Sequence, residues 1–336
     1  MAYPTPARPA DALRIRELRE ACAREGVTDV DVSRRRRAEY SSDASLYRVV
    51  PAAVVSPRDA DEVAAVLDIA RRLEMPVTTR GGGTSIAGNA VGPGIVLDVG
   101  RHLDRIIDLD PESATAVVQP GVVLKDLQVA AAAHGLRFGP DPSTSDRCTL
   151  GGMIGNDACG PRALRYGRTS DNVRSLDVVT GAGERLDLAP PAAGRQTAAP
   201  AADLLAAVDA EQSLVRAEFG RFNRQVSGYQ LHRLLPEHGR DLAKAAVGTE
   251  GTWAVATRAT LGLVRSPAAT SLVVLGYPDI AAAADAVPDV VAHEPVAIEG
   301  LDARIVDAVR RAPGAASVPD LPAGSGWLLV EVGGDT

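Results

Sequence analysis

Apolar positions recur at helical spacing in 57–72, where Val63, Val66, Leu67 and Ala70 share one face. Ser56 and Pro57 at the head of that run suit a helix start, and Asp59, Asp61 and Glu62 suit its positive end. Further helices are predicted over 11–23, 122–134 (with Gly135 as the stop), 204–219 and 242–246. Short β runs punctuated by Gly, Pro and Asp fall at 51–55, 76–79, 95–99, 105–109, 114–119, 175–180, 184–188 and 253–264. Residues 139–173 are dense in Gly, Pro, Ser and Asp and carry too little periodicity for a regular element, the mark of a functional loop. Residues 190–200 read as an Ala/Pro insertion. Beyond a boundary near Pro267 the pattern alternates: strand 271–275, helix 280–291, strand 296–299, helix 303–311, strand 327–332. No internal repeat is visible.

Length and charge narrow the picture. At 336 residues the chain exceeds the ~250–300 at which one core usually stops growing, so two lobes or domains are expected. The 36 basic and 43 acidic residues leave a net charge of -7, which argues against a nucleic-acid partner. Arg34–Arg37 is a basic cluster that a solvated face explains. No apolar run reaches the ~18–20 residues of a membrane span, and the first twenty residues lack a signal-type stretch, so a cytoplasmic protein is expected. Three cysteines form no CxxC pair and five histidines show no metal-ligand spacing, so no metal site is expected.

The chemistry concentrates in glycine-rich segments. The predicted strand at 76–79 runs into RGGGTS (80–85), whose consecutive backbone N–H groups can cradle a pyrophosphate. It is neither a Walker loop nor a GxGxxG fingerprint, and by itself a plain turn explains it equally well. Later come PGVVLKDL (120–127), PDPSTSDRCTLGGMIGNDACG (140–160), YGRT (166–169) and GTEGT (248–252). So many small residues make sense where backbone passes close to a flat polar ligand.

In this order the five motifs resemble the FAD-binding domain of the vanillyl-alcohol-oxidase/PCMH superfamily. The likeness is closest to FAD-linked D-lactate, glycolate and D-2-hydroxyglutarate dehydrogenases of the iron–sulfur-fused type, and it runs from about Tyr40 to Val332. The resemblance implies an α+β fold: a lead-in (1–45), a two-lobed PCMH-type FAD-binding domain (46–266) and a partial ferredoxin-like substrate cap (267–336). It implies FAD held by Gly81, Gly82, Gly83, Thr84 and Ser85 at the pyrophosphate, with Gly88 and Asn89 beside them. Pro140, Ser143, Thr149, Gly151, Gly152 and Gly155 would line the diphosphate and ribityl path. Asp157 and Gly160 would lie by the isoalloxazine edge, with Glu250 in the closing motif. Thr84 stands where some members carry a flavin-linked histidine, so the FAD is expected to be noncovalent. Gly82→Asp is expected to abolish binding while leaving the fold largely formed.

The implied activity is oxidation of a small 2-hydroxy acid by hydride transfer to the flavin, with an unknown electron acceptor. Two departures qualify it. Asp157 replaces the usual asparagine, and an ionised aspartate only accepts hydrogen bonds. The histidine-rich and metal-ligating segment of the cap and the iron–sulfur cysteines do not occur, so the chain is expected to be the N-terminal part of a longer enzyme. Any metal or cluster, the general base and the carboxylate clamp would lie in the remainder, which leaves the catalytic residues unknown; the 336 residues alone are expected to bind FAD but to be nearly inert toward 2-hydroxy acids. Alternatives are a non-catalytic FAD-binding subunit that needs a partner chain, or a UDP-N-acetylenolpyruvylglucosamine reductase-like flavoenzyme. Arg162, Arg165 and Arg168 fit substrate-anion anchors and a solvated face equally. Cys159 reads as a small hydrophobe, His232 and His238 as exposed helix-end groups, and Tyr229 as a core tyrosine.

Overall fold

The computed structural model describes residues 9–189, 199–219, 228–312 and 318–335. Most of the insertion expected at 190–200 therefore lies outside the described residues, as do Val226 and Ser227 beside Tyr229. In chain order the first half holds α1 (Pro9–Arg24), β1 (Val30–Asp31), α2 (Arg34–Glu39), β2 (Ala53–Val55), α3 (Ala60–Arg72), β3 (Val77–Arg80), β4 (Ile95–Asp98), β5 (Ile106–Asp110), β6 (Thr115–Val118), α4 (Leu124–Ala132) and β7 (Leu136–Arg137). Next come α5 (Leu150–Asn156), α6 (Ala163–Tyr166), α7 (Thr169–Asn172), β8 (Val173–Thr180), β9 (Arg185–Asp187), α8 (Ala199–Ala210), α9 (Gln212–Glu218), α10 (Leu242–Ala246), β10 (Ala254–Gly262) and β11 (Val264–Arg265). The chain closes with β12 (Ala269–Tyr277), α11 (Ile280–Asp285), α12 (Val287–Val291), β13 (Ala297–Asp302), α13 (Ala303–Arg311) and β14 (Gly326–Gly334).

The elements gather into two units. The larger comprises 1–138, 144–158 and 169–263. It contains a four-stranded sheet in the order β1-β2-β4-β3 and a five-stranded sheet in the order β5-β6-β10-β8-β9. In the first sheet β4 is parallel to both β2 and β3, so each connection must cross over. One crossover is α3, whose apolar face is fully buried. Asp59, rather than Ser56, caps this helix: its carboxylate accepts from the N–H of Glu62 at 2.9 Å, and the helix begins after Pro57. The second sheet is antiparallel throughout, and alternation along β10 buries Val255, Thr257, Ala259 and Leu261. Separate apolar cores lie under the two sheets, with Val179 and Val255 of the second reaching into the first.

The smaller unit comprises 139–143, 159–168 and 264–336. Its sheet has the order β12-β14-β13, antiparallel, packed through Leu328, Val330 and Ile298 against Ala283 and Ile280 of α11. The last strand is thus the middle one, hydrogen-bonded on both sides. Arg162 ties the outlying 159–168 segment to this sheet: its guanidinium donates from Nε and Nη2 to the Glu331 carboxylate at 2.8–3.1 Å and reaches Asp141 at 3.2 Å. These carboxylates hold the Arg162 pKa above its usual value, mainly through the Glu331 hydrogen bonds. Among the described residues no helix is long and apolar enough to cross a membrane, and no cluster of three or more His, Cys, Asp or Glu side chains could hold a metal.

Candidate cofactor site

The parallel crossover from β3 to β4 has no helix, and its first turn is the glycine loop. A Cβ on Gly81 would overlap the Thr149 hydroxyl, and one on Gly82 would overlap the carbonyl oxygen of Arg147. Gly83 has φ +64°, and a Cβ there would sit 2.5 Å from the Arg80 guanidinium. Packing against 147–149 therefore demands Gly81 and Gly82, and backbone conformation demands Gly83, before any ligand is considered. Gly151 is likewise pressed on Pro120.

Gly155 is different. It lies within α5, where glycine costs about 1 kcal/mol relative to alanine, and its φ is not positive. A Cβ there would meet nothing nearer than the Glu250 Cα at 3.9 Å. Neither backbone conformation nor packing accounts for this glycine. It borders a cleft, and the missing side chain leaves that space open.

The cleft lies in the larger unit between two lips. One is the loop after β3, with Gly81, Gly82, Gly83, Thr84, Ser85 and Asn89 on the wall. The other is α5, contributing Gly151, Gly152 and Gly155 behind its cap Thr149, together with Glu250. The Thr149 hydroxyl accepts from the N–H of Gly152 at 3.3 Å. The 248–252 turn is fastened to α5 by the N–H of Gly248 donating to the Ile154 carbonyl (2.8 Å) and that of Glu250 to the Gly155 carbonyl (3.0 Å). Across the mouth, the Ser85 hydroxyl donates to Asn89 Oδ1 at 2.5 Å, and the Asn89 amide donates to the Glu250 carboxylate. Leu176 and Val178 of β8, with Trp253 and Val255, add an apolar wall that sequence reasoning had treated as ordinary strand. Alternation in a strand looks the same whether a residue faces a core or a cavity.

The other expected site residues sit elsewhere. Gly88, at φ +85°, is packed on the Tyr47 ring and does not line the cleft. Asp157 is a left-handed cap of α5 (φ 46°), 3% exposed, with its carboxylate turned from the cleft. It accepts from the Ser170 N–H (2.8 Å), the Ser170 hydroxyl (3.2 Å) and the Gln230 amide (3.1 Å). A group facing three donors is well served by an acceptor-only side chain, which is a physical reason for aspartate here. Pro140, Ser143, Gly160, Cys159, Arg162, Arg165 and Arg168 belong to the smaller unit. His232 stacks on Phe219 (5.3 Å) and meets His238 edge-on; neither histidine lines the cleft. Tyr229 is 40% exposed rather than in the core, and its hydroxyl shares a 2.7 Å hydrogen bond with Thr252.

Beneath the glycine loop the Arg80 guanidinium stacks 5.0 Å from the Tyr40 ring centre and donates to the Ala90 carbonyl at 3.2 Å. The Tyr40 hydroxyl donates to buried Asp98 at 2.5 Å. Burial first, and then this carboxylate, push the Tyr40 pKa up to about 12. Because the folded-state value lies above the unfolded one of about 10, the unfolded chain loses this proton first. The contribution of Tyr40 to stability is therefore complete below pH 10 and lost as pH rises towards 12. A phenolate absorbance titration should show one tyrosine ionising late, absent in Tyr40→Phe; a Tyr40 that ionises near pH 10 would remove this contribution.

Family models match the two parts separately: "FAD binding domain" over residues 51–189 and "FAD linked oxidases, C-terminal domain" over 266–336. The two parts fit the FAD-linked oxidases. D-2-hydroxyglutarate dehydrogenase of Pseudomonas putida is 34% identical over 283 residues, covering 80% of this chain and 28% of that protein. Glycolate oxidase subunit GlcD of Bacillus subtilis is 33% identical over 282 residues, 82% of this chain and 51% of its own. D-lactate dehydrogenase of Archaeoglobus fulgidus is 32% identical over 257 residues, 76% and 48%. The chain thus spans a quarter to a half of the length of these relatives. Two solved structures of alkyldihydroxyacetonephosphate synthase superpose with TM-scores of 0.68 and 0.66 at 17% and 18% identity, over 99% of this chain and 57–58% of theirs. That likeness speaks for the fold.

The lining residues fit FAD. The cleft joins backbone N–H groups and small residues at one part to an apolar wall at another, as a cofactor with a charged middle and flat rings requires. An FAD-linked oxidase that tethers its flavin needs a side-chain nucleophile, and among the described residues no His, Cys or Tyr lines this cleft. Acid precipitation of the loaded protein is expected to leave all yellow colour in the supernatant; flavin retained in the pellet would refute noncovalent attachment.

Proposed function

We propose that the chain is the cofactor-holding part of an FAD-dependent oxidoreductase that oxidises a small 2-hydroxy acid of the D-2-hydroxyglutarate, glycolate or D-lactate type. The observation that carries this reading is that relatives named for these three substrates each align with most of this chain at about one-third identity. Their substrates share one reacting unit, a hydroxyl on the carbon beside a carboxylate. Bound FAD supplies the two-electron acceptor, and the protein supplies position and electrostatics.

In this reading the N–H groups of Gly81–Ser85 and of the first turn of α5 meet the pyrophosphate, and Ser85, Asn89 and Glu250 hold the two lips at a fixed distance. Gly155 leaves room for the cofactor. Residues 46–266 form the cofactor domain and 267–336 the start of the substrate cap. Arg162 has both Asp141 and Glu331 on its guanidinium, which argues for a tie within the cap rather than a substrate anchor. A cytoplasmic setting suits the three cysteines, none in a disulfide.

The test is anaerobic mixing of the FAD-loaded full-length enzyme, of which these residues are the cofactor-holding part, with each of the three hydroxy acids. Bleaching of the visible flavin band by at least one of them, and not by succinate, is expected. Bleaching by none, in protein whose flavin dithionite reduces fully, would contradict the reading.

A further inference from the structure

A second hollow, broadly exposed to solvent, opens in the larger unit. It shares Gly81, Gly82 and Thr149 with the cofactor cleft and no other residue, so these three form the wall between the two. Three arginines line it, Arg36, Arg101 and Arg147, in a chain whose net charge is -7. Arg36 also meets Glu39 at 3.2 Å and Asp31 at 3.7 Å, and Arg101 meets Asp29 at 3.3 Å; these acids do not line the hollow. Arg147 has no ion pair among the described residues, and its backbone is held firmly, with its carbonyl oxygen against Gly82 and its N–H donating to the Thr144 carbonyl at 2.8 Å.

The single carboxylate on the wall is Asp98, and both of its oxygens are engaged. Oδ2 accepts from the Tyr40 hydroxyl at 2.5 Å and Oδ1 from the Gly100 N–H at 2.8 Å. At 5% exposure it leaves little acceptor surface for a ligand. What the hollow offers is guanidinium donors, whose planar fork matches carboxylate and phosphate oxygens.

We propose that this hollow is a second anion site, distinct from the FAD cleft, that takes a small molecule carrying a phosphate or carboxylate group between Arg36, Arg101 and Arg147. The proposal rests on the glycine loop bounding the cofactor cleft and is independent of which hydroxy acid is oxidised.

Calorimetric titration of the FAD-loaded protein tests it, first with inorganic phosphate and then with succinate. At least one of them is expected to saturate a single site. Affinity should fall about tenfold or more in Arg147→Ala and in Arg101→Ala, while FAD affinity stays at the wild-type level and Arg165→Ala changes neither. Saturation by phosphate alone would assign a phosphorylated ligand, and by succinate alone a carboxylate; either supports the site. No saturable binding of either anion would overturn the proposal. So would binding seen only before FAD is loaded, which belongs to the cofactor cleft, or binding that both arginine variants leave unchanged.

Discussion

Gly155→Leu is expected to lower FAD affinity at least about a hundredfold while leaving the apoprotein as stable as the wild type or slightly more so. The two effects separate because the position is helical, in the last turn of α5, with open space before it. Leucine is a far better helix former than glycine, by roughly 0.5–1 kcal/mol, and no neighbour stands within 3.9 Å of its Cβ. The rest of the side chain projects into the cleft, and a filled pocket cannot accept rings and a pyrophosphate. Flavin fluorescence titration and thermal unfolding of the apoprotein read the two quantities. An unchanged affinity would mean that the cofactor lies elsewhere. Gly82→Asp is a poorer probe than the sequence suggested. Its Cβ would run into the Arg147 carbonyl, so the loop must shift, and loss of FAD could not be separated from loss of the loop.

In the smaller unit, Arg162→Met is expected to cost about 2–4 kcal/mol. The Asp141 and Glu331 side chains are only 18% and 19% exposed, and the substitution leaves two carboxylates facing each other without the cation. Breaking such a pair costs more than the pair itself contributes, so Glu331→Gln added to Arg162→Met should restore part of the loss. Arg165→Ala supplies the contrast. Its partner Glu294 is 80% exposed, and a change below about 0.5 kcal/mol is expected from denaturant unfolding. Equal effects at the two arginines would show that Arg162 is only a surface pair.

Much of this architecture was legible in the chain. The apolar stripe of α3, the strands β4 and β10, and Gly135 (φ +67°) after α4 follow from periodicity and from the backbone freedom of glycine. The helices in 139–173 were not, because α5 holds three glycines in seven residues and α6 and α7 have four residues each. Their geometry is imposed by tertiary contacts such as the Thr149 cap and the 248–252 turn rather than by propensity. The helices expected at 204–219 and 280–291 are each broken: at Glu211, where no glycine or proline stands, and at Ala286, just ahead of Pro288 in the first turn of α12. At the site, the glycine motifs stood out because each is local in sequence. The Asp157–Ser170–Gln230 cluster and the Asn89–Glu250 bridge did not, since their members lie 13 to 161 residues apart. Nor could sequence tell Gly82, required by packing, from Gly155, required by space; that distinction needs the neighbours of an absent Cβ.

The central claim is that one FAD occupies the cleft between the glycine loop and α5, held without a covalent bond. Titration of the apoprotein with FAD, followed by flavin fluorescence and absorbance, tests it most directly. Saturation at one FAD per chain is predicted, with the flavin exchangeable on dilution or gel filtration against excess ADP, which carries the half of the cofactor that the loop and α5 would hold. Absence of saturable binding, or saturation that excess ADP does not disturb at any concentration, would contradict it.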